Sequence, residues 1–271
     1  MALRPAARQG ISWKKVRLTG VVPDSGQYLA AQAGDSPYPP LSVLPAGTPL
    51  DRPVYAWVWP GVPDEPVLPV QHSVLYENED FLIAWKPHFL PTTTNGKIVV
   101  NTLQTRLRVI LNNPDIVPLH RLDVMTAGLV LCSVNPATRS QYQQLFATSQ
   151  IQKTYRATVS RPWTGPSGTV QLGMVKDKGQ PQVRVDPQGR MTTTKVTVLS
   201  PTLVELQPIT GHTHQLRVLC AHFGSPILGD DVYPVVQNRN FYDLSTPLAL
   251  EACTLEFDDP QTNCHFRFTT L

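Results

Sequence analysis

No run of about 18 apolar residues occurs anywhere in the chain, so a membrane-spanning helix is not expected. The N-terminal Met1-Ala2-Leu3-Arg4 carries charge with no apolar segment behind it, which argues against a secretion signal. Cys132, Cys220, Cys253 and Cys264 lack the close paired spacing of a zinc site or a disulfide framework. All four stand among apolar residues, so buried free thiols and a reducing, cytoplasmic setting are expected. There is no internal repeat. Charged residues make up only 16% of the chain against 41% hydrophobic, a balance that suits a soluble globular protein with a full core.

What is present is unevenly distributed. Residues 1–17 hold Arg4, Arg8, Lys14, Lys15 and Arg17 and no acid, and residues 131–200 hold nine Lys/Arg against two Asp. Residues 201–271 reverse this, with three Arg against eight acids. A basic side on a chain of net charge +3 fits a polyanionic partner. Eleven prolines fall between residues 18 and 69. Proline interrupts helices and central strands, so this segment is expected to run extended over the body, pinned by Tyr55, Trp57 and Trp59. The division expected is a basic, proline-rich extension over residues 1–69 and a catalytic domain over 70–271.

From Val74 onward the pattern becomes regular. Val74–Glu77 and Phe81–Lys86 read as strands around the turn Asn78-Glu79-Asp80, and Thr92–Gly96 as a loop. Asn101 is placed to cap a helix carrying Leu103, Leu107, Ile110 and Leu111 on one face, and Asn135-Pro136 to start a second. Lys153–Val159 alternates, with Tyr155, Ala157 and Val159 on one side. Thr192–Leu199 and Leu203–Gln207 form a further pair, and Leu248–Phe257 and Cys264–Thr269 are the last strands. A third helix is entered near Thr213 and closed by Gly224. The class is α+β, with a mixed, largely antiparallel central sheet flanked by helices and loops.

Four blocks carry chemistry: Leu82–Pro91, His120–Leu131, Lys153–Val159 and Thr210–Gly224. In this order they resemble the RluA-type pseudouridine synthases. His120-Arg121-Leu122-Asp123 with Thr126-Ala127-Gly128-Leu129 is similar to that family's catalytic loop. Thr210-Gly211-His212-Thr213-His214-Gln215-Leu216-Arg217-Val218 is similar to its second signature, which Gly229-Asp230 and Tyr233 continue.

The resemblance implies isomerisation of uridine to pseudouridine in RNA, with no cofactor and no metal. The bond from ribose C1′ to uracil N1 must break, the base must turn, and C5 must bond to C1′. A nucleophile divides this into easier steps. Asp123 is the residue the resemblance points to, whether it attacks the sugar or the base or stabilises charge at C1′. Arg217 is its expected partner, a guanidinium that favours and orients the ionised carboxylate. Tyr155 matches the family tyrosine that holds the uracil ring and could assist proton removal from C5. Arg121 matches the residue that enters the RNA stack where the target base leaves it. Lys86, His120, Lys153, His212, His214 and Gln215 complete the expected RNA-binding set, with a structural role for Lys86 equally open.

In two respects the chain departs from the family. His212 stands where arginine is usual, which predicts a weaker or pH-dependent RNA contact. The proline density argues against the helical S4 RNA-binding domain that many relatives carry at the N-terminus. His212, His214, Cys220 and His222 could be read as metal ligands, but the resemblance accounts for the stretch without metal. The expected partner is structured RNA, an rRNA hairpin or a tRNA stem-loop, bound by a monomer with no DNA or membrane partner. A metal-dependent or Asp-nucleophile hydrolase leaves the Lys153-Thr154-Tyr155 block unexplained. A non-catalytic RNA-binding descendant would lack Asp123, Tyr155 or Arg217.

Overall fold

The computed structural model describes residues 3–62, 64–94 and 98–270. Met1, Ala2, Pro63 and the Asn95-Gly96 end of the expected loop fall outside them. The chain divides into two compact units, one from Met1–Pro66 and Thr94–Ile116, the other from Val67–Thr93 and Val117–Leu271.

In the first unit the proline-rich stretch is a sheet with its own core, not an extended wrap. β1 (Lys14–Val21), β2 (Tyr28–Ala30), β3 (Val43–Leu44) and β4 (Pro49–Val58) pair antiparallel in the order β1-β4-β2-β3. Leu18, Val22, Tyr28, Ala30, Leu44, Leu50, Val54 and Ala56 form one buried cluster. The prolines are tolerated because of where they stand. Pro49 is the first residue of β4, and Pro53 lies at the irregularity opposite Leu18/Gly20, where no ladder hydrogen bond is lost. α1 (Leu103–Ile110) follows, and its N-cap is Thr102, whose hydroxyl accepts from the Thr105 N–H at 3.1 Å. The expected cap, Asn101, instead joins Val99 and Val100 in donating to the carboxylate of Glu65.

The second unit is built on an 11-stranded sheet. Its strands are β5 (Ser73–Glu77), β6 (Phe81–Lys86), β7 (Val117–Pro118), β8 (Ala127–Ser133), β9 (Gln152–Thr158), β10 (Gly168–Val175), β11 (Arg184–Val185), β12 (Arg190–Ser200), β13 (Leu203–Pro208), β14 (Leu250–Asp258) and β15 (His265–Thr269). The order is β11-β10-β12-β13-β9-β14-β8-β6-β5, with β15 on β14 and β7 on β8. Only the β8–β14 pairing is parallel. The sheet is therefore mixed and largely antiparallel, as the strand pattern predicts.

Every residue of β8 is buried, which explains its unbroken small and apolar composition. Phe81, Ile83, Leu129, Leu131, Tyr142, Leu145, Ile151, Leu255 and Phe257 make the main core. Gly128 has φ 121° and lies so close to β14 that a Cβ would strike the Ala252 backbone. That close approach sets where the loop entering β8 begins.

Two helices complete the unit, α2 (Arg139–Ala147) and α3 (Gln215–His222). α2 starts later than Asn135-Pro136 suggests, because the polar groups there are engaged elsewhere. Asn135 Nδ2 and Thr138 Oγ1 both donate to Asp80, at 3.0 and 2.8 Å, tying the helix entry to the β5–β6 turn. Cys132, Cys220 and Cys253 are buried free thiols, whereas Cys264 is exposed at the last hairpin, contrary to expectation. Among the described residues no helix is long and apolar enough to cross a membrane.

Candidate active site

Asp123 lies in the loop between β7 and β8, and the sequence on both sides of it holds that loop still. Thr92 Oγ1 donates to the Leu122 carbonyl at 2.9 Å and accepts from the Leu122 N–H at 3.2 Å. The Thr126 N–H closes a turn onto the Asp123 carbonyl at 3.0 Å. His88 Nδ1 donates to the Met125 carbonyl at 2.7 Å. Lys86, the last residue of β6, is fully buried under the loop, and its ammonium donates to the carbonyls of Pro87, Leu90 and Val124. Burial pushes the Lys86 pKa down to about 7 against the opposing pull of Asp123.

The partner side comes from α3 and the turn before β14. Arg217 is 3% exposed, with Nε and Nη2 donating to the two oxygens of Asp230 at 2.9 and 2.6 Å. Nη2 also reaches Asp231 at 2.7 Å, and Nη1 faces Asp123 Oδ2 at 3.7 Å. The last separation is an ion pair without a hydrogen bond. Burial alone would lower the Arg217 pKa, but Asp230, Asp123 and Asp231 raise it above its usual range. The result is a permanent positive charge locked in one orientation beside a carboxylate that is 35% exposed. Gly229, at φ 76°, permits this turn, since a Cβ there would meet the Pro247 carbonyl.

A second polar group, His214, faces Asp123 at longer range. His214 caps α3 in the left-handed region at φ 56°, its Nε2 3.9 Å from Asp123 Oδ2 and its Nδ1 3.1 Å from the Tyr233 hydroxyl. That hydroxyl also accepts from the Val183 N–H at 2.7 Å, which ties the His214 ring to β11's approach. Burial lowers the His214 pKa and Asp123 opposes it, leaving a net fall.

Tyr155 on β9 is 9% exposed, and burial together with the Asp123 charge pushes its pKa well above the usual phenol range. It presents a ring and an O–H donor, not a phenolate. Arg121 is exposed and has no ion pair among the described residues.

The profile of the RNA pseudouridylate synthase family matches residues 80–222, which hold Asp123, Tyr155 and Arg217. The chain belongs to this family. It is 33% identical over 197 residues to the dual-specificity RNA pseudouridine synthase RluA of Vibrio cholerae, covering 70% of this chain and 79% of that one. It is 30% identical to the ribosomal large subunit pseudouridine synthase C of Vibrio cholerae, covering 62% of this chain and 54% of that one. The chain thus spans about half the length of that relative. Among solved structures, human RNA pseudouridylate synthase domain containing 1 is similar with a TM-score of 0.61 and 26% identity, over 76% of this chain and 86% of that one.

Within this family frame, several residues expected at the RNA have other employment. Gln215 is 4% exposed, with Nε2 donating to Thr193 O and Thr194 Oγ1 while Oε1 accepts from Thr210 Oγ1 and the His212 N–H. Its amide is saturated and clamps the 210–214 segment to β12. Lys86 likewise spends its three donors on backbone carbonyls. His120 accepts from the Leu131 N–H at 3.1 Å through Nε2 and stacks on Phe146 at 4.9 Å. Burial and then the charge of Lys153 push its pKa down to about 3, so it is a neutral acceptor. Lys153 is half-buried, its Nζ 5.9 Å from the same Phe146 ring. His212 is half-buried, with Nδ1 3.2 Å from the Thr213 carbonyl. Cys220 is buried and His222 exposed on α3, and among the described residues no cluster of His, Cys, Asp or Glu has metal-site geometry. Asp230, Asp231 and Tyr233 emerge as site residues without an assigned role beforehand. The Gly229-Asp230…Tyr233 run was the available signal, but not which side chain it would bind.

Proposed function

We propose that this chain isomerises uridine to pseudouridine in RNA, with Asp123 as the reacting carboxylate. The observation that carries the reading is an accessible Asp123 on a loop fixed by Lys86, His88 and Thr92, facing the immobilised guanidinium of Arg217 at 3.7 Å. The N1–C1′ bond breaks, the C5–C1′ bond forms, the C5 hydrogen leaves as a proton and N1 takes one up. No atom or electron is gained or lost, so the overall change consumes no oxidant, reductant or group donor. Asp123 supplies the negative charge at the reacting carbons, and the fixed Arg217 guanidinium faces it with His214 alongside. Tyr155, kept as a phenol, offers its ring to the uracil. Arg121 is placed beside Asp123 to fill the gap a displaced base leaves, which offsets part of the few kcal/mol of flipping.

Residues 70–271 are read as the catalytic domain and 1–69 as an extension of another kind than an S4 domain. The chain is read as a cytoplasmic monomer on structured RNA, in line with its three buried free thiols. Relatives carry ribosomal large subunit and tRNA names, the latter in a Vibrio parahaemolyticus protein 30% identical over 223 residues, so both RNAs are substrates to try. Pseudouridine formation in transcribed tRNA and large-subunit rRNA should disappear with Asp123→Asn, by about a thousandfold or more, while RNA binding persists. Unaltered conversion by that variant sinks the assignment.

A further inference from the structure

The first unit contains a recess of about 200 Å³ walled by Arg17, Arg52, Tyr55, Ala33, Ser36 and Asp35. Arg17 and Tyr55 are register partners on β1 and β4, so their side chains stand side by side on the sheet face opposite the Leu18–Val54 core. Tyr55 is 46% exposed, an unusual placement for a large aromatic on a sheet that has its own buried side. Lys15 Nζ lies 5.0 Å from its ring centroid. Elsewhere in the unit Arg4 pairs with Asp115 and Arg8 lies over the Trp13 ring at 4.8 Å. Arg17 and Arg52, both exposed, have no ion pair among the described residues.

A flat ring, two uncommitted guanidinia and one carboxylate in a single recess match the parts of a ribonucleotide. We propose that the recess seats one unpaired nucleotide of an RNA chain, with its base on Tyr55 and its phosphate between Arg17 and Arg52. Asp35, which would repel a bare phosphate, accepts from a 2′-hydroxyl or a base amino group. Lys15 moves from the ring to the backbone as the base arrives. This rests on the reading of the chain as an RNA enzyme and adds a second, non-catalytic contact to it.

The test is the affinity of the full chain for a short oligoadenylate, which contains no target uridine, by fluorescence anisotropy across a salt series. Arg17→Gln with Arg52→Gln should weaken binding about tenfold and flatten the salt slope by about 0.7, the value for one lost single-strand phosphate contact. Tyr55→Ala should weaken it about fivefold or more without changing that slope, and Tyr55→Phe should restore it. Lys14→Gln, on the other face of β1, should leave affinity unchanged. Equal loss from Lys14→Gln, or no loss from the arginine pair, overturns the site. Loss in the arginine pair with a neutral Tyr55→Ala overturns the seat for a base. Displacement of oligoadenylate by AMP at equal concentration overturns the RNA assignment in favour of a free nucleotide. Uridine conversion assayed in parallel separates the two readings. A chain that converts no uridine but loses oligoadenylate binding in these variants refutes the isomerase and keeps the recess. Full conversion with unchanged oligoadenylate binding in every variant does the reverse.

Discussion

Two regions of the molecule use positive charge in opposite ways. At Asp123 two cations are buried and committed, Arg217 to Asp230 and Asp231 and Lys86 to three carbonyls. On the outer face of the N-terminal sheet Arg17 and Arg52 are exposed and unpaired among the described residues. Taking a charge out of water is costly, so burial is sustained only where partners are fixed, and the charge then serves geometry. An exposed charge costs little to keep and contributes little to stability, so it is free for a soluble partner.

The contrast breaks most sharply at Asp230. Asp230→Asn removes one of the three carboxylate charges facing the buried Arg217 guanidinium and one of its acceptors, and should cost about 3–5 kcal/mol by denaturant unfolding. Arg17→Gln and Arg52→Gln should stay within about 0.5 kcal/mol of the parent in the same measurement. Equal effects in the two sets would erase the distinction between committed and free cations.

Lys86 tests whether a buried cation at the site positions the loop or touches the RNA. Lys86→Met keeps much of the bulk and removes three bonds, one to Val124 in the Asp123 loop and two to the 87–90 segment, so kcat should fall about a hundredfold through misplacement of Asp123. RNA affinity should stay within about twofold. A loss carried by affinity with kcat intact would return Lys86 to the RNA contacts.

The smallest effect is expected at His120. Its folded pKa, about 3, lies below the ordinary 6.5. Above pH 6.5 the imidazole is neutral folded and unfolded, and its contribution is whole. As pH falls from 6.5 towards 3 the unfolded chain binds a proton that the folded one refuses, and stability drops. This approaches about 1.4 kcal/mol per pH unit at most, less the share that solvent screens from a half-buried ring. Melting temperature against pH for His120→Gln should be flatter in that window, and parallel curves would show that the ring takes its proton without cost.

The strands of the larger unit were readable because burial on one or both faces writes itself into local composition. The all-buried β8 and the alternating Tyr155, Ala157 and Val159 are cases. Misreadings came where polar side chains had distant partners. Asn101 looked like a cap but donates to Glu65, 36 residues earlier, and Asn135 looked like a helix start but holds Asp80. The proline-rich segment concealed a sheet, because a proline at a strand start or an irregularity costs no ladder bond.

Asp123, Tyr155 and Arg217 stand out because the blocks that hold them, in that order, resemble those of the RluA-type family. Their partners do not. That Arg217 is gripped by Asp230, that His214 meets the Tyr233 hydroxyl, and that Lys86 and Gln215 are saturated inside the protein follow from bonds between separate segments of the chain. A donor's partner is decided by which acceptor lies within 3 Å once the chain has folded, and local sequence holds no record of that distance.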